Sequence, residues 1–119
     1  MIDNKKLQHI SSVQKVLLAK IPFAQRYVSQ KLKEAGIPHY LEYCLMDEDK
    51  FFFVDIYIIG TNKYLELDGK YHKKNGEQRN SDKYRRSYIK NNFNLKEYRL
   101  KNSKAIKMTA KEIKEFLDL

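Results

Sequence analysis

The sequence is poor in the residues that staple, break or anchor a chain. It has one cysteine (Cys44), two prolines, four glycines and no tryptophan in 119 residues. A single cysteine excludes an internal disulfide and a cysteine-based zinc site, and it suits a reducing compartment such as the cytoplasm. No linker, low-complexity tract or repeat is present, so the chain reads as one compact unit with a single modest core. No run approaches the roughly 18 apolar residues that span a bilayer, and the polar start MIDNKKLQH does not read as a signal peptide. Acidic residues are outnumbered, 15 against 24 lysines and arginines, for a formal net charge of +9. Such an excess favours a polyanionic partner: DNA, RNA, or less readily an anionic membrane surface.

What is present falls into patterned segments. Ser11 with Gln14 resembles a helix capping box, and Val13, Val16, Leu17 and Lys20 share one helical face. Pro22 suits the first turn of a second helix, with Phe23, Tyr27, Val28, Lys31, Leu32 and Ala35 as its inner stripe and Gly36 as its stop. His39 to Met46 reads as a strand, Asp47 to Lys50 as a polar turn, and Phe51 to Ile59 as the strongest strand of the chain. Gly60 to Asn62 is turn chemistry leading into a hairpin partner, Lys63 to Asp68. After a polar loop with Asn75 and Gly76 at its tip, Ser81 can cap a helix to about Asn91, with Tyr84, Tyr88 and Ile89 inward. Leu95 to Leu100 is a short strand, and a Thr109–Glu112 capping box opens a terminal helix carrying Ile113, Phe116 and Leu117. The order α-α-β-β-β-α-β-α predicts an α/β fold: a mixed sheet flanked by helices, with an antiparallel meander and one strand returning after a crossover helix. Residues 1–21 read as an N-terminal helical extension and 22–119 as the main domain.

One charge is out of place. Asp55 interrupts the apolar strand FFFVDIYII, where a carboxylate is costly unless paired or ligated. The next strand carries Glu66 and Asp68 two residues apart, on one sheet face. An even-numbered hairpin loop sets Asp55 opposite one or the other, so three carboxylates converge. Mutual repulsion then calls for positive charge, and Mg²⁺, with its preference for oxygen ligands, answers it. The same pattern also fits Asp55 pairing with a neighbouring Arg or Lys, and ELDGK ending in solvent. His72 follows the Gly69 turn and can fold back as a proton carrier, or lie on the surface. Immediately beyond come Lys70, Lys73, Lys74, Arg79, Lys83, Arg85, Arg86 and Lys90, suited to holding phosphates.

These stretches resemble the PD-(D/E)XK nuclease superfamily, with its restriction-endonuclease-like core. Within it they look most like the very-short-patch-repair-type endonucleases, their small relatives and the phage homing endonucleases. The residues carrying the likeness are Val54-Asp55-Ile56, then Glu66-Leu67-Asp68-Gly69-Lys70-Tyr71-His72, then Asp82-Lys83-Tyr84-Arg85, within a span from Phe23 to Leu100. The resemblance implies Asp55 as the central metal ligand, with Glu66 and Asp68 completing or supporting the site. It also implies His72 as general acid or base and Arg85 as a phosphate or structural partner. In two places the chain departs from the pattern. Asp68 stands where the superfamily has a lysine, and Gln25 where many relatives carry a glutamate on the leading helix.

Three functions are compatible with this reading. The first is a DNA endonuclease using Mg²⁺, with Mn²⁺ as substitute and no small-molecule cofactor, nicking as a monomer or cutting both strands as a homodimer. The second is a nucleic-acid-binding protein that keeps the fold without cleavage, and the third a protein-interaction or inhibitor protein.

Overall fold

The computed structural model describes residues 3–69 and 76–119, and within 76–81 the backbone alone. Two helices, α1 (Asn4–Ala19) and α2 (Phe23–Glu34), precede three strands, β1 (His39–Met46), β2 (Phe51–Ile58) and β3 (Lys63–Asp68). Helix α3 (Gly76–Phe93) crosses over to β4 (Lys96–Lys101), followed by α4 (Asn102–Ala105) and α5 (Ala110–Phe116). The sheet order is β1-β2-β3-β4, antiparallel except for the parallel β3–β4 pair, so the expected mixed sheet and crossover are both present. Among the described residues no helix is long and apolar enough to cross a membrane.

Several helix ends differ from the sequence-based expectation. Asp3, not Ser11, caps α1: its carboxylate accepts from the Lys6 amide (2.8 Å), placing Ser11 mid-helix. The α1 residue that buries is Ile10, whereas Val16 is exposed. Pro22 is the N-cap of α2 rather than part of its first turn, and exposed Phe23 leaves the inner stripe to Ala24, Gln25, Val28, Ser29 and Leu32. Helix α3 starts at Gly76 rather than Ser81, because residues 77–79 are good helix formers that extend it backwards. Tyr84 faces outward, its ring lying against Tyr88 and beneath the Lys50 ammonium. Short helix α4 had no signature in the sequence; the capping box at Thr109 is present as expected.

The core divides between the two faces of the sheet. Val28 and Leu32 of α2 and Ile113 and Leu117 of the terminal segment pack with Ile56, Ile58, Leu65 and Leu100. Ile89 of α3 packs with Leu45, Val54 and Tyr64, joined by Phe52, Tyr43 and Tyr57. A regular pleat would put Phe52, Val54, Ile56 and Ile58 on one face. Here Phe52 and Val54 pack with α3, while Ile56 and Ile58 pack with α2. The alternation therefore slips at Asp55. Its neighbour on β1 slips with it: pairing runs Leu41↔Ile56 and then Tyr43↔Val54, and the skipped Glu42 has a left-handed φ of 47°. Non-glycine residues rarely adopt that conformation.

Candidate functional site

The slip coincides with a parting of β2 from β3. Their pairing covers Tyr57↔Tyr64 and Ile56↔Leu65, and one step further the register sets Glu66 opposite Asp55. There carboxylates take over from the main-chain ladder. The Asp55 amide donates to Glu66 Oε2 (2.9 Å), and the Leu67 amide donates to Asp55 Oδ2 (2.8 Å). Each side chain is thus locked by the opposite strand, and Glu66 is only 7% exposed. Burial pushes both carboxyls above the ordinary range. The Asp55 charge raises Glu66 further, against the pull of Arg85; the Leu67 hydrogen bond draws Asp55 back in part, and Glu42 pushes it up.

Cations from two elements face this pair across a cavity of about 230 Å³ on the α3 side of the sheet. The Arg85 guanidinium donates to Glu66 Oε1 and to the Phe53 carbonyl. Arg99 of β4 donates to Asp68 Oδ1 (2.7 Å) and to both Glu97 oxygens (3.3 Å each), with Asp82 Oδ2 at 3.9 Å. Arg86 also reaches Glu97 (2.9 Å), which accepts a hydrogen bond from the Tyr64 hydroxyl (3.2 Å). The result is a fixed array of alternating charges along the sheet ends.

A second cavity, about 240 Å³, opens on the opposite side between α1, α2 and the sheet, and Asp55 and Leu67 line both. Gln25 closes its floor: its Nε2 donates to Glu42 Oε1 (3.1 Å) and to the Asp55 carbonyl (2.9 Å). Gln14 of α1 donates to the Glu42 carbonyl (3.0 Å). Glu42 is 6% exposed. Burial raises its carboxyl, the Gln25 hydrogen bond pulls it partly back, and the Glu66 charge raises it again.

The expected residues sort into three groups. Asp55, Glu66 and Asp68 come together at the parted strands, Arg85 joins them, and Gln25 lies directly behind Asp55. Arg86 sits one residue removed, on Glu97, while Lys83 and Lys90 lie on the exposed face of α3. Lys70, His72, Lys73 and Lys74 lie outside the described residues, as does the side chain of Arg79. Sequence reasoning passed over Glu42, Glu97 and Arg99. Glu42 carried the same signal as Asp55, a lone acid within an apolar strand (HYLEYCLM). Arg99 carried none, because its role depends on the parallel pairing Glu66↔Arg99.

Among the described residues no group of three or more His, Cys, Asp or Glu side chains is arranged to hold a metal ion. Mg²⁺ requires less than that: one or two carboxylates, with waters and substrate phosphate for the rest. Asp55 and Glu66 meet this requirement, being adjacent hard-oxygen donors whose proton affinity is raised chiefly by burial, against the pull of Arg85.

The sequence matches no family model and no curated protein. Among solved structures it is similar to the catalytic domain of the homing endonuclease I-Bth0305I. The TM-score is 0.58 at 18% identity, covering 80% of this chain and 93% of that domain. The fold is therefore shared with a homing endonuclease catalytic domain, an α/β fold built on a four-stranded mixed sheet flanked by helices.

Proposed function

We propose that the chain is a Mg²⁺-dependent DNA endonuclease of the PD-(D/E)XK type, hydrolysing phosphodiester bonds. The observation that carries this reading is the buried Asp55–Glu66 pair, held by reciprocal amide bonds where β2 and β3 part. The fold it shares with a homing endonuclease catalytic domain supports it. Asp55 and Glu66 hold the cation, with Asp68 as a supporting carboxylate. A bound Mg²⁺, or Mn²⁺ in its place, supplies Lewis acidity at the phosphate and a lower pKa for a coordinated water. Asp68 and His72 are the candidate proton acceptors. Arg85 stabilises phosphate charge, and Lys70, Lys73, Lys74, Arg79, Lys83, Arg86 and Lys90 bind the DNA backbone. Residues 22–119 form the nuclease domain, with 1–21 as an extension. One acidic centre per chain cuts one strand, so a monomer nicks and a homodimer cuts both.

Supercoiled and linear DNA incubated with and without Mg²⁺ test this directly. Wild type should give nicked or linear product only with metal, and Asp55→Ala should abolish it while retaining DNA binding. Equal cleavage by Asp55→Ala sinks the proposal. The ion pairs Arg85–Glu66 and Arg99–Asp68 favour a second reading, a nuclease fold that binds nucleic acid without cutting it. It predicts DNA binding with no cleavage at any Mg²⁺ or Mn²⁺ concentration.

A further inference from the structure

Both oxygens of the Glu66 carboxylate are in use. Oε2 accepts from the Asp55 amide (2.9 Å), and Oε1 accepts from Arg85 Nη1. Each oxygen keeps a second lone pair, but a guanidinium and a divalent cation on one carboxylate repel each other at close range. Arg85 and a metal held by Glu66 therefore compete. The way Arg85 is held suits it to give way. Its second bond, from Nη2, goes to the Phe53 carbonyl, and its guanidinium lies 6.0 Å from the centre of the Phe52 ring. Neither contact involves Glu66, so the Nη1 end can leave while β2 still anchors the rest. The side chain is 23% exposed, and it lines the α3-side cavity of about 230 Å³ together with Asp68 and Asp82. The departing end thus has space to turn, and it stays beside carboxylates when it does.

We propose that Arg85 is a place-holder: in the metal-free protein its guanidinium occupies the cation's position on Glu66, and on metal binding it leaves Glu66 and turns into the α3-side cavity, anchored by the Phe53 carbonyl. The inference rests on the metal-dependent reading above and adds the order in which its parts assemble. Without metal, Arg85 is the partner that offsets the buried Glu66 charge. With metal, that need is met otherwise, and the freed N–H groups face the cavity where a phosphate would lie. Arg85 is then available to substrate only in the metal-loaded protein. The ion pair that favours a binding-only protein becomes the resting state of a cutting one.

The test is Mn²⁺ affinity by calorimetry on the full chain for wild type, Arg85→Met, Arg86→Met and Asp55→Asn. Arg86→Met removes the same charge one residue along α3, from Glu97 rather than Glu66. Deleting a group that occupies the site about nine-tenths of the time or more should tighten Mn²⁺ binding about tenfold or more in Arg85→Met, and Arg86→Met should stay within about threefold of wild type. Unchanged binding by Arg85→Met would overturn the inference. Weaker binding would also overturn it, since Arg85 would then be orienting Glu66 as a ligand. Equal gains in Arg85→Met and Arg86→Met would overturn it too, as a general effect of charge. In each of these cases weakened binding in Asp55→Asn leaves the metal reading standing, whereas no saturable Mn²⁺ binding by wild type or Arg85→Met overturns both. A measurement on wild type alone covers the case in which Arg85→Met does not fold. By NMR, the Arg85 N–H bonded to Glu66 should exchange slowly with solvent in EDTA and fast at saturating Mg²⁺; slow exchange in both would overturn the inference.

Discussion

Arg85→Met tests whether the candidate site is held together by charge. The Arg85 side chain is 23% exposed and that of Glu66 9%, so the pair is largely out of water. Removing one partner of a fully buried pair costs about 3–5 kcal/mol, mostly from the uncompensated charge left behind. Two features reduce that here: partial exposure of the guanidinium, and the Asp55 amide that still donates to Glu66. A loss of about 2–3 kcal/mol near neutral pH follows, or a fall in melting temperature of about 10 °C for a domain of this size. Protonating Glu66 relieves the stranded charge, so the loss should shrink as pH drops to about 5. Adding Glu66→Gln should recover a large part of it, because no charge then remains to strand. The Phe53 carbonyl bond stays broken in both variants, which makes the recovery incomplete. Urea denaturation of wild type, both single variants and the double variant gives the coupling energy directly. A loss below about 1 kcal/mol, or no recovery in the double variant, would refute the reasoning.

Two further outcomes are expected. In EDTA, Asp55, Glu66 and Glu42 all have raised carboxyl pKa values, so the folded state binds more protons than the unfolded chain just above the ordinary carboxylate range. Their contribution is fully present at lower pH and is lost as pH rises; melting temperature should fall between about pH 5 and about pH 8, and less so in Glu42→Gln. A flat profile in wild type would contradict the assigned shifts. Thr109→Ala removes the side chain that accepts from the Glu112 amide (3.1 Å) at the start of α5. It should cost about 1 kcal/mol in urea denaturation without altering Mn²⁺ affinity, and an unchanged midpoint would show that the cap contributes nothing.

The strands were readable because their signals are local. The run at Phe51–Ile58 is almost wholly aromatic and β-branched, and the turn chemistry on either side of it places the ends of its neighbours at His39–Met46 and Lys63–Asp68. Hairpin parity narrowed the residue facing Asp55 to Glu66 or Asp68, and the observed register selects Glu66. Helix starts were harder, since several residues compete as caps: Ser11 and Ser81 are good candidates, but Asp3 and the run after Gly76 win. Phe23 and Tyr84 fit an inward stripe by spacing, yet spacing cannot say that Phe23 stays exposed or that Lys50 covers Tyr84. The ion pairs were unreadable for a different reason. Arg85–Glu66 and Arg99–Asp68 join elements whose relative placement depends on the crossover, and nothing in their spacing encodes it.

The slip at Asp55 ties these observations into one physical account. A regular pleat through β2 would leave Asp55 with main-chain partners on both sides and no reason to meet Glu66 by its side chain. Once the alternation slips, the amides of Asp55 and Leu67 lose their ladder partners, and the two carboxylates replace them bond for bond. Hydrogen bonding is therefore nearly conserved, and the cost appears as charge: Glu42, Asp55 and Glu66 are desolvated together, with Arg85 paired to Glu66. The two core clusters flanking the slip supply the stability that tolerates this cost, since apolar packing on either face does not depend on the residues between. On the metal-dependent reading, the remaining repulsion between buried carboxylates is what a bound cation would relieve. A cation entering at Asp55 would remove the repulsion that folding left in place, and its affinity would then be set as much by that relief as by the bonds it forms.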